Sequence, residues 1–110
     1  MNYRENVKLP ISDIMEWNDL LDAKNVNYGK FGFAELSTVF RKTVTFNNGT
    51  VGELRINTET AEEGSFYAYV VLFDHHGREI GRSGPDWELT GGDWCVKCGD
   101  DTYSIQVVGV

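Results

Sequence analysis

The chain has 110 residues, with 17 acidic against 10 basic side chains and a formal net charge of −7. That length gives one domain able to bury a core without disulfides or metal. A hydrophobic fraction of 41% argues against global disorder, and the negative charge opposes contact with nucleic-acid phosphates or anionic membranes. Arg41, Lys42 and Arg55 are too few to form a nucleic-acid footprint.

Residues 1–11 read as an extended arm, with Pro10 preventing an earlier helix start. No apolar signal segment follows the first residues, and two cysteines in that context point to a reducing, cytoplasmic setting. The spacing then predicts an amphipathic helix over 12–24. Ser12 suits its N-cap, Ile14, Trp17, Leu20 and Leu21 form an apolar stripe, and Asp13, Glu16, Asp19 and Asp22 occupy the other face. The acids near the start also favour the positive end of the helix dipole.

From residue 30 onward period-two patterns dominate. Phe40, Val44 and Phe46 alternate with Arg41, Thr43 and Thr45, and Leu54 and Ile56 alternate with Glu53, Arg55 and Asn57. A three-residue loop, Asn47-Asn48-Gly49, keeps one face apolar by pairing Val44 with Gly52 and Phe40 with Ile56, with Gly49 left-handed. The stretch 58–65 reads as a polar loop. Phe66 to Phe73 is apolar on both faces, which marks a central strand covered on two sides, one of them by the helix. The turn 74–78 sets Asp74 opposite Arg78 and Leu72 opposite Ile80. Segments 86–90, 94–98 and 102–108 complete the strands, separated by glycine-rich turns. The expected fold is α+β: one N-terminal amphipathic helix packed on a coiled, mostly antiparallel sheet of about six or seven strands built from hairpins.

Chemistry-bearing motifs are sparse. Cys95-Val96-Lys97-Cys98-Gly99 is spelled like half of a zinc site, but Cys95 and Cys98 of an extended strand face opposite sides. His75 and His76 fall one strand length away, roughly 13–17 Å. The simpler reading puts Trp94, Val96 and Cys98 in the core. His75 and His76 have no nucleophile nearby in sequence, and Gly81-Arg82-Ser83-Gly84-Pro85 lacks the lysine and helix of a phosphate loop. Trp87 and Trp94 are core by default; an exposed one would mark a contact site. Tyr67 and Tyr69 would lie beneath the helix.

The functional expectation is a small acidic, non-enzymatic interaction protein without a cofactor. Asp13, Glu16, Asp19 and Asp22, joined by Glu59, Glu62 and Glu63, would present spaced negative charge to a basic, nucleic-acid-binding surface of a partner. Phage and mobile-element inhibitors, anti-CRISPR proteins among them, work this way; the analogy is one of size and charge. A solvated helix face is the plainer explanation of the same acids. The residues also admit a zinc module using Cys95 and Cys98, a small β-barrel ligand-binding protein, and a homodimer formed through an edge strand at residues 103–110.

Overall fold

The computed structural model describes residues 4–14, 17, 36–45, 49, 51–60 and 66–109. Strands β1 (Arg4–Pro10), β2 (Leu36–Thr45), β3 (Val51–Thr60), β4 (Phe66–Phe73), β5 (Glu79–Arg82), β6 (Trp94–Cys98) and β7 (Asp101–Val108) form two sheets. One has the order β1-β7-β6 and the other β2-β3-β4-β5.

The β2–β3 hairpin has the register that keeps its inner face apolar. Val44 lies opposite Gly52, Phe40 opposite Ile56, and Gly49 has φ +86°. A bulge between Thr38 and Phe40 lets Val39 reach the core. Along β4, Ala68, Val70 and Leu72 point inward, opposite Thr58, Ile56 and Leu54 of β3. Those apolar side chains join Leu9, Val96, Ile105 and Val107 of the other sheet in a single core.

The expected α+β architecture is therefore corrected. The described residues are mostly strand, with no helix of seven or more residues, and the inner face of β4 is covered by a second sheet. At the predicted helix start, Ile11–Asp13 form a single 3-10 turn. Ile14 N–H donates to the Ile11 carbonyl and Trp17 N–H to the Ile14 carbonyl. That turn ends at Ile14, whose backbone is extended (φ −104°, ψ 97°). Ile14 and Trp17 are both buried, as the apolar stripe requires, and Trp17 has helical backbone. Residues 18–24 lie outside the described residues.

Four further expectations change. The extended arm is strand β1, which pairs in parallel with β7, Val7 opposite Ile105. That makes β7 a central strand, so its backbone is not a free edge for dimerisation. Asp74 does meet Arg78, but a bulge after Leu72 sets Leu72 opposite Gly81 rather than Ile80. Segment 86–90 is a turn, joined to β4 only by the bridge between Asp86 and Ala68. Among the described residues no helix is long and apolar enough to cross a membrane.

The two sheets meet along β5 and β6. A Cβ on Gly81 would lie 2.7 Å from the Lys97 carbonyl oxygen and 2.9 Å from the Cys98 Sγ, so only glycine allows this approach. At the opposite side β2 and β1 are not paired. Among the described residues the two sheets form a β-sandwich closed along one seam and open along the other.

Candidate functional site

Successive residues of a strand face opposite sides of the sheet, so the core-facing set on β3 and β4 fixes an outer set. The outer set is Glu53, Arg55, Asn57 and Glu59 opposite Phe73, Val71, Tyr69 and Tyr67. Arg82 of β5 joins it opposite Val71. Three aromatic rings of β4 thus share one face with paired charges.

A fourth ring extends the row. Tyr67 and Tyr69 have centroids 5.9 Å apart, and Trp87 tilts against Tyr67 at 4.5 Å. The Arg82 guanidinium lies 5.3 Å from the Tyr69 centroid and that of Arg55 4.4 Å from Phe73, both within cation–π range. Each arginine also has an acid. Arg55 pairs with Glu53, and Arg82 makes a two-point bond to Glu79 at 2.5 and 3.0 Å. Local charge is nearly neutralised, and exposure along the face is uneven: Tyr69, Val71 and Asn57 are buried, Tyr67 and Phe73 are half-buried, and Trp87 is exposed.

Hydrogen bonds fix the polar groups. The Tyr67 hydroxyl donates to Glu59 at 2.8 Å, and Thr38 donates to Asn57 Oδ1 at 2.8 Å. The bond to Glu59 raises the Tyr67 phenol above its ordinary pKa, and burial does the same for Tyr69. Both phenols therefore stay protonated at neutral pH.

Trp87 is 47% exposed whereas Trp17 and Trp94 are buried. It is held by the turn around it. Asp86 pairs with Ala68 through both backbone bonds, at 2.7 and 3.0 Å. Its carboxylate accepts from Glu88 N–H, the Thr90 hydroxyl and Gly91 N–H. Two residues on, Leu89 is fully buried with φ +53°, a left-handed conformation that is uncommon without glycine. Burial of the leucine in the core offsets that strain. The turn is pinned inward by Leu89 and presents Trp87 outward.

Of the residues expected to form an acidic row, Asp13 is exposed in the 3-10 turn that follows β1, a strand of the sheet that does not contain Glu59. Glu59 accepts from Tyr67 on the aromatic face. Glu16, Asp19, Asp22, Glu62 and Glu63 lie outside the described residues. Tyr67 and Tyr69 lie on this outer face, where Tyr69 is buried; residues 18–24 of the helix expected to cover them lie outside the described residues. Alternation groups the tyrosines with Phe73 on β4 and Asn57 with Glu53 and Arg55 on β3, while Arg82 carries no such signal in the sequence.

The cysteine pair does not converge. Cys95 is exposed and Cys98 half-buried on the opposite face of β6, its thiol pKa raised by burial and then by Asp101. No three His, Cys, Asp or Glu side chains come together among the described residues. His75 and His76 stack on each other at the β4–β5 turn, 3.9 Å between centroids. The Ser83 hydroxyl is occupied by backbone, accepting from Val70 N–H at 2.9 Å and donating to the Gly84 carbonyl at 3.1 Å. Comparison of the chain with protein-family models, curated proteins and solved structures found no match.

Proposed function

We propose that this chain is a non-catalytic interaction protein whose anchor is the exposed Trp87 with the half-buried Tyr67 beside it, and whose partner is a basic protein surface. The observation that carries the reading is a tryptophan 47% exposed on a turn fastened from both sides. Trp87 packs against Tyr67 on one side and leaves the rest of its ring open to solvent, and Trp and Tyr clusters are common binding anchors. The net charge of −7 adds long-range attraction for a basic surface and raises the encounter rate.

Affinity capture from the native host with wild-type protein and with Trp87→Ala tests this. Trp87 is outside the core, so the variant should keep its unfolding midpoint. A partner with a basic surface should be retained by wild type and weakened about thirtyfold in the variant, the size of a binding hot spot. Rising salt should slow its association. Equal capture by the variant, or partners lacking a basic surface, would sink the reading.

A further inference from the structure

The open seam between the sheets contains a cleft of about 240 Å³, lined by Val7, Val44, Leu54, Leu72, Tyr103 and Ile105, with Lys42, Thr43 and Thr45 along one side. Its floor is apolar core. Its wall holds one anomaly: Lys42 stands opposite Leu54, on the core-facing register of β2, where an apolar residue would continue the pattern of Phe40 and Val44. Arg55 and Arg82 have acid partners, whereas Lys42 has none within ion-pair distance among the described residues.

We propose that this cleft binds a small amphiphilic carboxylate, its tail laid along Val7 and Val44 over the buried floor of Leu54, Leu72 and Ile105 and its head paired with Lys42. An enclosed apolar cavity of about 150 Å³ takes a benzene-sized guest, so this larger, open cleft suits a tail of about six to eight carbons. It is below the roughly 300–1,000 Å³ of sites for drug-sized molecules, which excludes long lipids from full burial. The cationic head at the mouth selects an anion over a neutral or positive amphiphile. A lysine pointing inward on an edge strand can also serve only to discourage strand-to-strand aggregation, and the experiment separates the two roles.

The probe is octanoate, titrated into isotopically labelled full-length protein and followed by backbone amide NMR, with octylamine as the control. Saturable shifts should centre on residues 42–45, Leu54 and Ile105, with a dissociation constant of about a millimolar or below. Lys42→Gln should weaken octanoate about threefold to fivefold, the effect of an exposed ion pair, and Val44→Trp should block the cleft and abolish the shifts. Val44 is half-buried at the rim, and Lys42 is exposed, so both variants should fold. Failure to saturate by about 10 mM octanoate overturns the proposal. So does octylamine binding as well as octanoate, or shifts gathered instead around Trp87. Aggregation of Lys42→Gln without octanoate binding by wild type would assign the lysine to edge protection alone. None of these outcomes depends on the partner proposed for the aromatic face.

Discussion

At the residue scale, the closed seam depends on one missing side chain. Gly81 sits where β5 crosses against β6, and the atoms a methyl group would meet are the Lys97 carbonyl at 2.7 Å, the Cys98 Sγ at 2.9 Å and the Val96 Cγ1 at 3.0 Å. One of the three is backbone, inside a ladder that continues to β7, so it cannot rotate away. Gly81→Ala must push the sheets apart or bend β6. Overpacking of this kind costs about 1–3 kcal/mol, and the backbone at Gly81 has no positive φ that would add to it. The expected outcome is a lower urea midpoint with unchanged slope. Gly84→Ala is the matched control, because a Cβ there meets nothing within 4 Å and should leave the midpoint close to wild type. Equal effects at both glycines would mean that chain entropy, not the seam, sets the cost.

At the element scale, strands whose two faces differ sharply are legible in the sequence, and segments held by distant partners are not. The limits of β4 follow from its unbroken apolar run, those of β6 from alternation, and the register of β2 on β3 from alternation and one glycine, because those strands pair with near neighbours and a one-residue slip would invert every side chain. In the N-terminal region the spacing of Ile14 and Trp17 marks two buried residues, but nothing local marks the 3-10 turn Ile11–Asp13 and the extended Ile14 that come first. The pairing of β1 with β7 leaves no local trace. The aromatic face is half legible: β4 shows which tyrosines travel together, but Trp87's exposure depends on where Leu89 is buried. Lys42 in the apolar register is visible in the alternation once the hairpin register is fixed. The β4–β5 hairpin also carries a pH response. Asp74 accepts from the Arg78 and His76 N–H groups, and these bonds, that to Arg78 first, hold its pKa below the ordinary carboxylate range. Glu79 is lowered likewise by its bonds to Arg82. A folded pKa below the unfolded one gives stability that is present above the unfolded value, roughly pH 4, and lost as pH falls through the folded value. Urea midpoints should therefore drop as pH falls from about 5 through and below the ordinary carboxylate range, and the drop should be shallower in the double variant Asp74→Asn, Glu79→Gln, which is weaker near neutral pH. Parallel curves for the two proteins would show that the hairpin acids do not contribute.

At the scale of the whole molecule, the two sheets differ in how the chain must assemble them. In β2-β3-β4-β5 each strand pairs with the next in sequence, so closure needs only short loops. The other sheet joins β1 to β7 across roughly a hundred positions, and the entropy of closing so long a loop is recovered only when the core already holds the two ends together. The antiparallel sheet should therefore form the folding nucleus, with β1 docking after the transition state. Ile56 and Leu9 provide matched probes, since both are 1% exposed or less and both belong to the common core. Truncating either to alanine should cost about 2–5 kcal/mol at equilibrium. The kinetic division should differ. Ile56→Ala should act mainly by slowing folding, because its contacts with Val70 and Phe40 belong to the nucleus. Leu9→Ala should leave the folding rate nearly unchanged and accelerate unfolding by most of its equilibrium loss. Stopped-flow chevrons of the three proteins decide the matter. A folding limb slowed as much by Leu9→Ala as by Ile56→Ala would place the parallel pair inside the nucleus. The open seam between β1 and β2 would then be set before the antiparallel sheet is complete.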